Sequence, residues 1–404
     1  MSSTIAGGHR KPGLIQALAL LLPCTMVVMG SVVLQPDQGL LRAHFANVPN
    51  NEYWVPFLLT VPAIFATLFT LPAGYLADVM GRRPPLIIAM LIYTAAGVAP
   101  FFLKNLIPIA VSRILVGMCE GVVITITTAL IGDYFNGHMR DRLMGWQSAT
   151  ATIAATILIP VSGFLSAAIG WNGPFLIYSI TGLWLVGILV FTWEPKPDEH
   201  AGEVAGGVSW AGFPWARVAE ICAVTLLGSY FFYAVQLELP NALPKFGIVN
   251  PAVIGQMAGI ASLGMVAGAV SFQFVVKRSL GTLLLGELAL IAASFIAMGF
   301  AAHPQILIGA AFVNQVGCGM MLPTLLTTSM RFLPFEHRGR GVGFWQGAFA
   351  LGQFVVGMSF PAIKNMLGGD YAHALLAVGI VACIATLVAL VMAIRTHGRI
   401  APAS

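Results

Sequence analysis

Charge is what this chain has least of. Only 9% of its 404 residues are charged, 58% are hydrophobic, and the mean hydropathy is +0.88. A soluble domain carries about 25% charged residues, so too little polar surface exists to cover a water-soluble globule of this length. Metal-ligand spacing is missing as well. The five cysteines, Cys24, Cys119, Cys222, Cys318 and Cys383, fall one at a time in apolar runs, and the eight histidines are equally dispersed. That pattern supports neither a disulfide framework nor a metal site, and isolated cysteines of this kind behave as small hydrophobes. The Gly-rich loop ending in Lys-Ser/Thr that binds ATP phosphates does not occur. Without paired His and Glu on one helix, or a large polar domain, neither an enzyme nor a cofactor is expected.

What remains is apolar length. The hydrophobic content is parcelled into runs of about 20 residues, enough for a helix to cross a bilayer. Twelve candidate spans can be drawn: 14–35, 53–77, 84–103, 107–132, 145–168, 174–193, 217–239, 252–276, 281–301, 305–329, 341–364 and 371–394. The first follows Arg10 and Lys11 but is too long for a secretory signal, and no small-residue cleavage site follows it. Internal Pro and Gly are tolerated in such helices when neighbours re-satisfy the backbone. The expected fold is an all-α membrane protein whose twelve transmembrane helices form two pseudo-symmetric six-helix bundles.

Loop charges set the orientation. With the N-terminus inside, 15 Lys and Arg face inward, while only Arg42, Lys104, Lys245 and Lys364 face outward. The positive-inside bias places both termini in the cytoplasm, and it accounts for the net charge of +5 and pI near 9.0 without a nucleic-acid partner. Short loops suit a bacterial cytoplasmic (inner) membrane. The expected partners are the lipid bilayer, a small-molecule substrate and protons, and the expected state is a monomer.

The longest polar stretch, 194–214, is rich in Pro, Gly and acidic residues and reads as a cytoplasmic linker. It divides a first half, 1–193, from a second, 215–404. The halves echo each other about 200 residues apart: Gln35-Pro36-Asp37 against Gln236-Leu237-Glu238, and the loop containing Gly81 against that containing Gly281. Such echoes fit duplicated halves related by an axis along the membrane normal.

The densest polar segment inside the apolar frame is Gly74-Tyr-Leu-Ala-Asp-Val-Met-Gly-Arg-Arg-Pro-Pro-Leu86, between the second and third spans. Gly81 allows a turn with positive φ, Pro84 and Pro85 can open the next helix, and Asp78 can accept hydrogen bonds at the membrane surface. This segment resembles the signature loop of the major facilitator superfamily, with Val79 standing where a basic residue is usual. A second pattern of that family, Arg-x-x-x-Gly-x-x-x-Gly, is met by Arg113, Gly117 and Gly121 in the fourth span. The resemblance covers nearly the whole chain. It implies a secondary transporter working by alternating access, with Asp78, Gly81, Arg82 and Arg83 in a cytoplasmic latch between the halves. The alternative is a loop that only fixes topology.

Charges inside spans cost about 2.5–3.5 kcal/mol even on the lenient insertion scale, so they should face the bundle interior. Arg113, Gly117, Glu120 and Gly121 share one helical stripe, expected to look toward the cavity between the halves. Asp37, at the outer end of the first span, could come within reach of Arg113. Burial raises a carboxylate pKa and a nearby Arg lowers it, so Asp37 and Glu120 are proton-carrying candidates with Arg113 as modulator. Arg113 could instead grip a substrate carboxylate, or the charges could form a fixed structural pair. Glu238 is expected at the water interface, and Glu287 could pair with Lys277 or Arg278.

Tyr230, Tyr233, Gln236, Asn314, Gln315, Trp345 and Gln346 are the expected cavity walls, a mixed apolar and polar set suited to an amphiphilic organic solute. The stretch Ile159-Pro160-Val161-Ser162-Gly163 is a degenerate match to the fifth-span pattern of drug/proton antiporters. It favours proton-coupled efflux, with proton-coupled uptake of an organic anion as the alternative.

Overall fold

The computed structural model describes residues 12–195, 212–333 and 337–396. Most of the expected linker, both chain ends, and the side chains of Arg331, Arg338 and Arg395 therefore lie outside the described residues.

Among the described residues, twelve helices are long and apolar enough to cross a bilayer. They are α1 (Leu14–Val32), α2 (Asn51–Met80), α3 (Arg83–Phe101), α4 (Leu106–Tyr134), α5 (Gly137–Ile169), α6 (Gly173–Phe191), α7 (Trp215–Phe246), α8 (Pro251–Val275), α9 (Leu280–Gly299), α10 (Pro304–Phe332), α11 (Arg338–Met366) and α12 (Tyr371–Thr396). A short helix, Gln38–His44, follows α1. Each expected span falls on one of these helices, and the chain is an integral multi-pass membrane protein.

Small residues set the helix spacing inside each half. A Cβ added at Gly117 would overlap the Pro62 carbonyl, and one at Gly121 the Ala66 carbonyl, so α4 lies backbone to backbone on α2. The second half repeats the device on the opposite partner: Gly264 and Gly268 of α8 sit against the Phe312 and Val316 carbonyls of α10. Because lipid tails are as apolar as the helices, close van der Waals packing of this kind supplies much of the association energy.

The halves meet along two helix pairs. Gly163 and Pro160 of α5 pack on Pro251, Gly255 and Gly259 of α8, and Pro56 and Thr60 of α2 pack on Gly357 of α11. These contacts lie on the side away from the α2–α3 loop, here termed the distal side; the opposite, linker side carries that loop and the end of α6. Hydrogen bonds joining described residues of the two halves also lie on the distal side of the bilayer centre, from Gln353 to Ser31 at 2.9 Å outward to Asn365 and Glu52 at 3.0 Å.

Candidate functional site

The stripe on α4 does not face the gap between the halves. It packs into its own bundle. Arg113 is fully buried, its NH1 donating to Tyr178 Oη of α6 at 2.8 Å, with its guanidinium 4.8 Å from the Tyr178 ring centre and 5.2 Å from that of Phe175. Tyr178 passes the bond on to the Met29 carbonyl at 3.0 Å. The Arg113 Nε and NH2 groups have no hydrogen-bond partner. Cation–π contact and one charge-assisted bond thus hold the charge in place of a carboxylate. Gly117 and Gly121 are turned to α2, which is why the stripe looks inward to the bundle.

About two turns along the same helix, Glu120 is 2% exposed. Its Oε1 accepts from the Gly30 N–H at 3.2 Å; Tyr93 Oη lies 3.5 Å away, with its single hydrogen directed to the Met26 carbonyl at 2.9 Å. A Cβ at Gly30 would meet the Glu120 carboxylate, so glycine there leaves room for it beside the α1 backbone. Neither Arg113 nor any other described cation lies within ion-pair distance of Glu120.

The other carboxylates sit differently from expectation. Asp37 is fully buried, not solvated, and neither oxygen has a hydrogen-bond partner; Ser166 is a neighbour whose Oγ is also unsatisfied. It does not pair with Arg113. Glu238 is 2% exposed and not interfacial, accepting from Asn241 Nδ2 at 2.9 Å. Glu287 is buried and accepts from Thr324 Oγ1 at 2.6 Å, with neither Lys277 nor Arg278 within ion-pair reach.

The expected cavity walls divide into three groups. Tyr233, Phe349 and Trp345 form an aromatic shelf, with Phe349 ring centres 5.3 Å from Tyr233 and 5.9 Å from Trp345. Gln236 and Gln315 line a cleft beneath the distal seam with Gln35 and Ser262; Gln35 Nε2 donates to Gln236 Oε1 at 3.4 Å, and Gln315 Oε1 is left without a donor. Asn314 and Tyr230 instead look elsewhere: Asn314 is fully buried on Ser294 of α9, and Tyr230 bonds Ser359 of α11. Gln346 is exposed.

The α2–α3 loop turns at Gly81 with φ 82°, as its sequence demands. Its bonds stay within the first half. Arg82 Nε pairs with Asp133 of α4 at 2.7 Å, while the Arg82 and Arg83 backbone N–H groups donate to the two oxygens of Glu194 at 2.6 and 2.8 Å. Glu194 thereby caps the N-terminus of α3, where a carboxylate is favoured by the helix dipole. The Arg83 guanidinium reaches the Leu189 carbonyl. Asp78 is exposed and forms no bond with another described residue. Sequence reading missed Glu194, Asp133, Tyr93 and Tyr178. The signal for Glu194 was its place directly after a span ending, where composition had assigned it to the linker.

The profile of the Major Facilitator Superfamily matches residues 52–299. The probable sulfoacetate transporter SauU of Cupriavidus necator is 24% identical over 335 residues, 73% of this chain and 74% of that protein. The multidrug transporter protein MdtP of Bacillus subtilis is 27% identical over 127 residues, covering 31% of this chain and 24% of that protein. Among solved structures, a D-xylose–proton symporter superposes with a TM-score of 0.78 at 17% identity, covering 94% of this chain and 96% of its own.

Proposed function

The chain belongs to the major facilitator superfamily, a family of membrane transporters, and from that premise we propose that it exchanges protons for a small amphiphilic organic solute, with Glu120 as the exchanging acid. One observation carries the reading: Glu120 is a buried carboxylate inside the first bundle, beside the Gly30 N–H and the Tyr93 hydroxyl, with no described cation within ion-pair distance. A charge so placed is costly unless its proton comes and goes with the aqueous exposure of the gap. Tyr93 and the Gly30 N–H orient the carboxyl, and Arg113, fixed by Tyr178, biases it from behind.

The closed distal seam and the unengaged Asp78 fit a state open on the linker side. With the positive-inside orientation, that state faces the cytoplasm. Asp78, Arg82 and Arg83 then act as the latch that forms when the linker side closes. The aromatic shelf of Tyr233, Trp345 and Phe349 offers an apolar platform, and Gln236 and Gln315 offer amide groups for the polar end of the solute. Efflux is favoured by the close α5–α8 packing at Pro160 and Gly163 and by the similarity to a multidrug transporter.

The test is transport of a lipophilic fluorescent cation into inside-out vesicles under an imposed proton gradient. Accumulation that Glu120→Gln abolishes supports the proposal, and undiminished accumulation in that variant rejects it. A second reading, proton-coupled uptake of an organic anion, is favoured by the similarity to a probable sulfoacetate transporter and by the two unpartnered nitrogen groups of Arg113. Sulfoacetate accumulation in whole cells, lost in Arg113→Gln, would select it.

A further inference from the structure

The cleft lined by Gln35, Gln236, Ser262 and Gln315 holds a buried acceptor that no described residue serves. The amide is oriented from behind. The Ser294 hydroxyl commits its one hydrogen to the Ile291 carbonyl at 2.7 Å, so it accepts from Asn314 Nδ2 at 3.1 Å. That turns Asn314 Oδ1 toward Gln315 Nε2, 3.5 Å away. The same Nε2 lies 3.3 Å from the Phe232 carbonyl, which can only accept. Both amide hydrogens of Gln315 are thereby engaged. Its Oε1 is left without a donor in a residue 1% exposed.

The rest of the lining does not supply what is missing. Ser262 donates its only hydrogen to the Gly259 carbonyl at 2.7 Å and keeps free lone pairs. Gln35 and Gln236 bond each other across the seam at 3.4 Å, one donor against one acceptor. None of the described residues lining the cleft is charged, and the remainder are apolar. At about 240 Å³ the space falls below the roughly 300–1,000 Å³ of a pocket that takes a whole drug-sized solute. It suits a head group. The body has a platform beside it, because Tyr233 of the aromatic shelf stands three residues before Gln236 on α7 and neighbours it on the helix surface.

From this geometry we infer that the cleft is the head-group subsite of the transported solute and selects a hydrogen-bond donor, a hydroxyl or a primary ammonium. Such a head gives a hydrogen to Gln315 Oε1, with the Ser262 oxygen as a second acceptor in the same lining. A carboxylate or sulfonate brings only further lone pairs to an acceptor that already lacks a donor. No cation stands in the cleft to offset its desolvation. The orphaned amide thus favours the amphiphile over the organic anion as cargo. The inference rests on the transport reading above and narrows its solute, with no use of Glu120 or of the proton.

Four probes that share one body test the head: phenylbutanol, phenylbutylamine, phenylbutyrate and phenylbutyl methyl ether. Each is titrated against the purified full-length chain, and its affinity is read from the rise in melting temperature. The alcohol and the amine should bind about tenfold tighter than the methyl ether, which has no donor, and the butyrate should bind weakest. Equal affinities, expected if water alone occupies the cleft, overturn the inference. A lead for the butyrate, or binding by none of the four, overturns it too. Gln315→Met should erase the alcohol's lead over its ether, and a lead that survives removes Gln315 from the site. Gln315→Glu keeps an acceptor there and should widen the gap between amine and butyrate; a narrower gap counts against the inference equally. Binding needs no gradient, so the two proposals separate. Normal proton-driven transport in Glu120→Gln would sink the exchange proposed above and leave the ranking of heads to decide the cleft.

Discussion

The two halves share a scaffold and differ in where they keep charge. In the first, α4 carries Arg113 and Glu120; in the second, the corresponding helix α10 carries Asn314 and Gln315, both buried and both neutral. The first half closes its α2–α3 loop with an ion pair and the Glu194 carboxylate. The second closes its α8–α9 loop with Ser279, whose hydroxyl caps the Thr282 N–H at 3.3 Å. Even the glycine echo diverges. Gly81 turns with positive φ, whereas Gly281 is helical and packs on Ala393 of α12. The halves share the packing, while between α4 and α10 charge is kept on α4 alone; the buried acids of the second half, Glu238 and Glu287, stand on α7 and α9, each beside a neutral donor.

The sharpest way to break that division is a pair of matched substitutions. Glu120→Gln should lower proton-driven flux roughly tenfold or more while sparing solute counterflow, and Glu287→Gln should leave both nearly unchanged in the same vesicle assay. Equal losses would end the asymmetry. Packing should show the reverse, a symmetric response. Gly117→Val and Gly268→Val each force a side chain into a facing carbonyl, and each should cost about 1–3 kcal/mol or more, read as a fall in melting temperature of the purified protein. Gly286→Ala, where a Cβ meets nothing within 4 Å, is the control.

Smaller effects are expected at the loops. Arg82 and Asp133 are 33% and 24% exposed, so Arg82→Gln should cost no more than about 1 kcal/mol, and less in high salt. Ser279→Ala in the other half should cost about as much by removing a cap but should be insensitive to salt. The smallest effect belongs to Asp370, at the start of α12. The Ala372 N–H bond, and then Lys245 at 3.3 Å, hold its carboxyl below the usual range. A depressed folded value stabilises the protein above the unfolded pKa of about 3.9, and that contribution is lost as pH falls through the folded value. Asp370→Asn should therefore flatten only the acid end of a melting-temperature profile.

Span count, two-bundle architecture and the turn at Gly81 were legible because lipid imposes length and loops impose φ. Which way each helix faces was not. An apolar helix surrounded by other apolar helices leaves little periodic contrast to read, so the Arg113 stripe was assigned to the gap when Gly117 and Gly121 turn it to α2. Pairing Arg113 with Asp37 failed for a related reason: Tyr178 and Phe175 supply what a carboxylate would have, and aromatic residues in an apolar run look like filler. Gln38 and Asn241, which bond each other across the halves at 3.0 Å, hid because lone amides near span ends resemble loop residues until their partners are seen.

The backbone clip between α2 and α4 has a mechanical side. Since α2 is also the helix that abuts Gly357 across the seam, a displacement there reaches the helix bearing Glu120 with almost no slack. Contact alone thus gears the Glu120-bearing helix to the seam, with no side-chain bond needed between them.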